Sequence, residues 1–493
     1  MELLDLLRTI FLPFNLLMMN VGVAAGIIIG AIPGLTAVMG IALLLPFTFG
    51  MDSIPGIYLL LGVYCGGTLG GSITAILINT PGTPAAAATV LDGYMLAQKG
   101  RAGDAMKAAL IASFIGGILS CLSLIFVAPP LASMALRFGP AELFSLCVFG
   151  LTIVAGISGK SLAKGLIMAA LGLLLSTVGI DATEGTPRFM FGNISFLGGI
   201  SPVVLMLGVF ALSEILEKCR KSVNQTHSIA SFSKATIKVT EILVYWKTLL
   251  RSSIIGIIIG AVPGTGAAIS AFFSYNEAKK ASKNPEDFGT GIIEGIIAPE
   301  TGNNAVTGAT LIPLLTLGIP GDIAVAVLFG ALTMQGIYPG PELFTSGRFW
   351  VNCIMGGLLV INIFMLLQGT FFIKAFANVS RVPFSILIPS VLILCTLGSF
   401  AIVNSTFDVF VMIVFGIAGY FLKRFDYPIP PLAIGLVLGE LTERNLRRAL
   451  IISQGQVSTF FTRPISAVVL AIALFSVVYP IIKKAVLKHK AGK

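Results

Sequence analysis

Residues 26–34 read Gly-Ile-Ile-Ile-Gly-Ala-Ile-Pro-Gly, and residues 256–264 repeat this stretch with Val in place of the last Ile. Each copy is an apolar helical segment with glycine at every fourth position, and each ends in Pro-Gly. Proline removes a backbone hydrogen-bond donor, and glycine leaves the backbone uncovered. Within a membrane such a break is tolerated only where protein or a water-filled cavity meets the freed backbone groups. The stretch therefore predicts a broken membrane helix that occurs twice.

The two copies lie 230 residues apart, from Gly26 to Gly256. This distance is far longer than the period of a solenoid repeat, so it indicates one duplication of a large unit. The long polar stretch between the copies is rich in lysine and arginine. We predict a first membrane half at residues 1–216, a basic cytoplasmic linker at 217–251 and a second membrane half at 252–493.

The composition indicates a protein that crosses the membrane many times. The chain has 493 residues, of which 56% are hydrophobic and 11% are charged, and its mean hydropathy is +0.97. Soluble domains carry about 25% charged residues. Apolar segments of spanning length predict an all-α polytopic membrane protein with about 10–12 transmembrane helices. We expect two repeats, inverted relative to each other, each with helices that are broken or re-entrant at Pro-Gly.

The net charge of +10 does not indicate nucleic-acid binding. The basic residues form short clusters between apolar segments, which is the positive-inside pattern of a membrane protein. The loop after the first break carries Asp52 and no base, whereas the loop after the matching break carries Lys279, Lys280 and Lys283. Opposite charge in matching loops favours inverted repeats. Inverted repeats with broken helices are typical of secondary carriers.

Each half contains a second break, at Pro81-Gly82 and at Pro320-Gly321. A new apolar helix begins after each of the four breaks, and its N-terminus presents free N–H groups and a partial positive charge. Four such termini that meet at mid-membrane would bind an anion without a buried lysine or arginine. The predicted substrate-binding residues are Thr36, Asn79, Thr80, Gly82, Thr83, Thr265, Gly266, Gly318, Pro320 and Gly321, and the predicted hinges are Pro33, Gly34, Pro81, Pro263 and Gly264.

The alternative interpretation of these residues is purely structural. Glycine would then allow close approach of helices, and threonine and asparagine would satisfy the freed backbone groups. The Gly-x-x-x-Gly patterns at residues 26–34, 62–70 and 256–264 are interpreted in this way, as helix packing.

Acidic residues in apolar surroundings are the candidates for cation coupling, because carboxylates in a membrane are costly. Glu300 lies in the polar stretch 299–304, whose carboxylate and amide oxygens suit Na⁺, or it takes up H⁺. The predicted coupling residues are Glu300, Asn303, Asn304 and Asp322. For Asp322 a helix N-cap is the structural alternative. Asp92-Gly93 is interpreted as a turn, and no catalytic residue, metal cluster or further cofactor is predicted.

These residues resemble those of the large membrane subunit of the tripartite tricarboxylate transporter family. The resemblance is carried in the first half by Gly26–Thr36, Tyr64–Ser72, Asn79–Thr83 and Asp92–Tyr94, and in the second half by Gly260–Gly266, Pro299–Asn304 and Gly318–Asp322. It implies a multi-pass carrier in the bacterial inner membrane that imports small carboxylates, with citrate as the family default, under a Na⁺ or H⁺ gradient. It also implies a small membrane subunit and a periplasmic solute-binding protein as partners, and a homodimer is left open.

Two other functions are weighed against this importer. An intramembrane enzyme would need a base at membrane depth, and neither of the two histidines lies in an apolar segment. A passive channel would conduct without saturation and without an ion gradient. We therefore expect a carrier and no enzymatic activity.

Overall fold

The computed structural model describes residues 2–32, 34–157, 161–181, 184–221, 235–379, 382 and 384–491. Helices make up almost all of the regular structure in these ranges. Two short strands there, β1 (Gly179–Ile180) and β2 (Pro187–Arg188), pair as an antiparallel hairpin. The predicted all-α fold is confirmed. Of the predicted hinges, Pro33 lies outside the described residues.

Ten described helices begin before the linker. They are α1 (Glu2–Ile10), α2 (Pro13–Gly30), α3 (Ala37–Leu44), α4 (Ser53–Ile78), α5 (Ala87–Leu96), α6 (Ala102–Ala135), α7 (Pro140–Ile157), α8 (Leu162–Ser176), α9 (Pro202–Met206) and α10 (Ser213–Lys221). A 3-10 turn (Pro84–Ala86) leads into α5, and a π-helical turn (Leu207–Leu212) joins α9 to α10.

Twelve described helices begin after residue 234. They are α11 (Val239–Leu243), α12 (Trp246–Ala261), α13 (Gly266–Ala281), α14 (Glu294–Ala309), α15 (Leu311–Leu317), α16 (Ile323–Met334), α17 (Arg348–Val379), α18 (Phe384–Val403), α19 (Thr406–Arg424), α20 (Pro430–Ile452), α21 (Thr459–Thr462) and α22 (Pro464–Ala491).

Six helical segments of the described chain are long and apolar enough to cross a membrane, and five shorter apolar helices lie among them. The central one is α4, whose most apolar window is entirely buried. Helices α3 and α16 have only 8 and 12 residues. A full span needs about 20 residues. Each of these two helices therefore has the length of a partial span that begins at a break.

Glycines bring α2 and α4 into backbone contact. A Cβ on Gly26 would lie 2.5 Å from the carbonyl oxygen of Val63, and one on Gly66 would lie 2.4 Å from that of Val23. The second half repeats the arrangement, since a Cβ on Gly256 of α12 would lie 2.6 Å from the carbonyl oxygen of Gly302 on α14. The interpretation of the glycine patterns as helix packing is confirmed. These interfaces hold the broken helices in place.

We expect Gly66→Ala to destabilise the fold, because its methyl group has no space at the α2–α4 interface. Overpacking of this kind costs about 1–3 kcal/mol. Thermal unfolding in detergent should show a lowered midpoint. Gly50→Ala is the matched control, because a Cβ there meets nothing within 4 Å. Equal midpoints for the two variants would contradict the close packing of α2 on α4.

The two halves pack against each other through the helices that follow the breaks. Helix α3, after the first break, packs on α16, which follows the second break of the other half. Reciprocally, α13 packs on the 3-10 turn and α5, which follow the second break of the first half. This exchange is what two related halves would produce. The division into two inverted repeats stays a prediction.

The part of the predicted linker that follows residue 234 is hydrogen-bonded to the first half. Asp104 at the start of α6 accepts hydrogen bonds from the backbone N–H groups of Thr236 and Ile237, at 2.6 and 2.9 Å. Lys107 Nζ donates to the carbonyl oxygen of Ile237 at 2.7 Å. Regular structure enters the predicted linker from both sides, because α10 ends at Lys221 and α12 begins at Trp246. Residues 222–234 of the predicted linker lie outside the described residues.

Candidate functional site

The breaks of the first half each end in a capped helix. After α2 the chain turns through Gly34, whose φ is +76°, and Thr36 caps α3 by accepting the N–H of Met39 at 3.4 Å. After α4 it turns through Asn79, whose φ is +56°, and Thr83 accepts the N–H of Ala86 at 3.4 Å. A threonine side chain at each break thus satisfies one of the N–H groups that the break frees.

The breaks of the second half are joined to each other. Gly264 has a φ of +83° and donates its N–H to the carbonyl oxygen of Gly321 at 2.7 Å. The hydroxyl of Thr265 donates back to Val262 at 2.9 Å, and α13 begins at the next residue. Asp322 caps α16 by accepting the N–H of Val325 at 2.8 Å. Asp322 is therefore a helix N-cap, which was the structural alternative for this residue. It also faces the cavity described next.

The starts of α3, α13 and α16 line one cavity of about 460 Å³, together with the 3-10 turn that leads into α5. This volume is within the range of small-molecule sites, which is about 300–1,000 Å³. Helix N-termini that face a cavity favour an anion in it, through their free N–H groups and the helix dipole. Of the predicted residues, those that line the cavity are Thr36, Thr83, Gly264, Thr265, Gly266, Asn303 and Asp322.

Asn303 is an unpaired amide on the cavity wall. Its side chain is 1% exposed, and neither Oδ1 nor Nδ2 has a hydrogen-bond partner in the described chain. Leaving a buried polar group unpaired costs about 1–3 kcal/mol. An amide that borders a cavity and has no hydrogen-bond partner among the described residues is therefore suited to a ligand.

Tyr64 fixes the position of Asp322, and sequence analysis did not predict this role. The Tyr64 hydroxyl donates to Asp322 Oδ2 at 2.8 Å, and it lies 3.1 Å from the hydroxyl oxygen of Thr310. Tyr64 and Asp322 are 258 residues apart in the chain. The contact ties the start of α16 to the buried helix α4. In the sequence, Tyr64 is notable only because it begins the Tyr-Cys-Gly-Gly stretch that contributes to the family resemblance.

Glu300 lies away from the cavity lining, in a small cluster of hydroxyl groups. Its carboxylate is fully buried and accepts hydrogen bonds from the hydroxyls of Thr89 and, at 3.2 Å, Ser113. Asn304 donates to Ser113 Oγ at 2.8 Å and to the Glu300 carbonyl oxygen at 3.0 Å. Among the described residues no lysine or arginine forms an ion pair with Glu300. A carboxylate with hydroxyl oxygens and no basic partner fits Na⁺ or H⁺.

Several predicted residues lie behind the cavity rather than on its lining. A Cβ on Gly82 would lie 2.2 Å from the carbonyl oxygen of Gly30, and one on Gly321 would lie 2.8 Å from Thr310 Cα. These glycines allow the breaks to pack against neighbouring helices. The predicted residues that do not line the cavity are Gly34, Asn79, Thr80, Pro81, Gly82, Pro263, Glu300, Asn304, Gly318, Pro320 and Gly321.

Asp92 was interpreted as part of a turn, and this interpretation is wrong. It lies inside α5, fully buried, and accepts the Tyr275 hydroxyl at 2.8 Å. It also accepts the backbone N–H groups of the loop before α14, from Gly289, Gly291 and Ile292. A buried carboxylate with this many donors is a structural tie. Asp92 connects α5 of the first half to α13 and α14 of the second half.

Broken membrane helices that begin at one largely apolar cavity, with a few polar side chains on its wall, define the class of this chain, which is a membrane transport protein. Residues 16–434 match the model of the family described as "Tripartite tricarboxylate transporter TctA family". The chain belongs to this family.

Two relatives come from Agrobacterium vitis. The chain is 39% identical over 473 residues to the "Uncharacterized 52.8 kDa protein in TAR-I ttuC' 3'region", covering 96% of this chain and 94% of the relative. It is 40% identical over 225 residues to the "Uncharacterized protein in TAR-II ttuC' 3'region", covering 45% of this chain and 92% of that relative. No solved structure matches the chain.

Family membership confirms the resemblance that the sequence motifs indicated. The chain is the large membrane component of a tripartite tricarboxylate transporter, which implies a membrane partner and a solute-binding partner. Family membership also confirms the prediction that the chain is a component of a transporter and not an enzyme.

Proposed function

We propose that this chain is the permease subunit of a secondary importer of small carboxylates such as citrate, driven by a Na⁺ or H⁺ gradient. The observation that carries the proposal is the convergence of three α-helix N-termini and the 3-10 turn before α5 on one cavity, which also has the unpaired amide of Asn303 on its wall. N–H groups and an amide are the donors that a carboxylate accepts from.

The cavity residues divide by what they can offer a carboxylate. Thr36 and Thr83 accept backbone N–H groups as caps, so their hydroxyl hydrogens can donate to the substrate. Asn303 Nδ2 adds two further donors. The Thr265 hydroxyl donates its hydrogen to a backbone carbonyl oxygen, so it has none left to donate to the substrate. Thr265 therefore only shapes the cavity wall. The site binds an anion mainly through neutral groups.

Glu300 is proposed as the coupling site because it shares α14 with Asn303. The carboxylate and the amide are three residues apart on one helix, one in the hydroxyl cluster and the other on the cavity wall. A cation that neutralises Glu300 would change the position or stability of α14 and so the affinity of the cavity. Two sites that bias one helix are coupled reciprocally.

The finer assignments rest on family membership and are proposed with it. A periplasmic solute-binding protein would deliver the carboxylate, a small membrane subunit would accompany this chain, and the complex would lie in the bacterial inner membrane. Asn79, Thr80, Gly82, Gly318, Pro320 and Gly321 are proposed to shape the breaks. Asp322 is proposed to hold the start of α16 against Tyr64.

The proposal is tested by uptake of labelled citrate into proteoliposomes that hold this chain and its small membrane subunit, with and without the solute-binding protein, under a Na⁺ or H⁺ gradient. We expect saturable uptake that needs the binding protein and one gradient. Saturable uptake of succinate or malate instead would replace the substrate. Flux without saturation, gradient or binding protein would overturn the proposal in favour of a channel.

A further inference from the structure

A charged cluster lies on the cavity where α10 meets α19. Glu214 of α10 and Lys423 of α19 both line the cavity. Lys423 Nζ donates to Glu214 Oε2 at 3.0 Å. The two side chains are 30% and 27% exposed, so the pair lies at a mouth of the cavity where solvent reaches it. Sequence analysis predicted neither residue as part of the site.

Lys218, one helical turn after Glu214 on α10, lies close to the same carboxylate. Its Nζ is 2.6 Å from the point that a Cβ on Gly34 would occupy, and Glu214 Oε1 is 3.7 Å from that point. The Lys218 ammonium therefore rests against the backbone of the first break, two residues before the Thr36 cap. Burial lowers the pKa of Lys218 to about 8, and the charge of Glu214 opposes this shift. With both lysines protonated, the three side chains carry one positive charge in excess.

We infer that Glu214, Lys218 and Lys423 form an anion subsite at the mouth of the cavity, in which a carboxylate group of the substrate replaces Glu214 beside Lys423 during passage. This inference rests on the proposed function, because it adds a second carboxylate position to the same cavity. The helix starts would then hold the anion inside, and the subsite would hold it at the mouth.

The energetics of the ion pair permit such an exchange. A partly exposed ion pair contributes little to stability, because water competes for both charges. When a substrate carboxylate displaces Glu214, the protein therefore loses little stability. The substrate carboxylate then accepts the charge-assisted hydrogen bond from Lys423. Glu214 acts as a competitor that prevents the anion from being held too tightly.

The test is the affinity of two variants that should change in opposite directions. With the full chain and its small membrane subunit in nanodiscs, labelled citrate is the probe. We expect Glu214→Gln to tighten binding about tenfold, because Lys423 loses its internal competitor, and Lys423→Gln to weaken it about tenfold. Lys423→Arg should keep the affinity within about threefold, since the positive charge stays.

Arg424→Gln is the matched control, because Arg424 is the next residue of α19 and does not line the cavity. A merely structural ion pair predicts that Glu214→Gln and Lys423→Gln weaken binding and lower the unfolding midpoint together. That result would overturn the subsite, as would citrate affinities within twofold of wild type for both. If the wild-type chain binds none of citrate, succinate and malate, the proposed function fails and the subsite fails with it.

Discussion

Replacing Glu300 by glutamine is expected to abolish gradient-driven uptake while the protein stays folded. The carboxylate is fully buried, and among the described residues it accepts hydrogen bonds only from hydroxyl groups, which can rotate to suit the amide of glutamine. The variant cannot bind H⁺ at this position, and it loses the charge that would hold Na⁺. We expect uptake under a gradient to fall about 100-fold, a loss near the upper end of coupling between two sites.

The measurement separates coupling from binding. Gradient-driven uptake of labelled citrate is compared with citrate–citrate exchange at equal ion concentrations on both sides, and exchange should persist. Glu286→Gln is the control, because this exposed carboxylate lies in the loop before α14. Unchanged dependence of Glu300→Gln on the ion gradient would remove Glu300 from the coupling mechanism.

Replacing Asn303 by leucine is expected to weaken substrate binding without weakening the fold. The amide of Asn303 makes no hydrogen bond in the described chain, so an apolar side chain of similar size relieves a buried polar group. We expect the unfolding midpoint to stay or rise and the Kd for citrate to rise about 30-fold, as for the loss of hydrogen bonds to a charged ligand.

Asn304→Leu is the matched comparison on the same helix. The Asn304 amide donates to Ser113 Oγ and to the backbone of Glu300, so its loss leaves buried partners unpaired. This variant should lower the unfolding midpoint. If Asn303→Leu were instead the destabilised one and bound citrate normally, Asn303 would be a structural residue and not a ligand of the substrate.

The breaks and their helix starts could be predicted because they are encoded locally. Proline and glycine determine where a helix stops, and a threonine or aspartate a few residues later caps the next helix, as at Thr36 and Asp322. Three of the four breaks carry the whole signal within a few residues, and at the fourth Thr265 follows Pro-Gly without capping α13. The sequence therefore indicated which segments begin beside the cavity.

The rest of the site depends on contacts between distant residues. Tyr64 meets Asp322 across 258 residues, and Lys423 meets Glu214 across 209. Nothing in either local sequence indicates these partners. The opposite environments of Asn303 and Asn304 depend on the rotation of α14 against its neighbours, which a run of polar residues does not determine. Likewise Gly82 and Gly321 are packing residues because the backbone of Gly30 and of Thr310, respectively, lies against them.

The central claim, that the cavity is the substrate site, is tested most directly by protection of a cysteine placed in it. Ala268→Cys lines the cavity near the start of α13, and Ala281→Cys lies exposed at the far end of the same helix. In a Cys219→Ser background the other native cysteines are buried. Citrate should slow modification of Cys at 268 by a small thiol reagent at least about fivefold, as expected at concentrations several times the Kd, and leave position 281 unchanged. Equal rates at position 268 with and without saturating citrate, succinate or malate would contradict the claim.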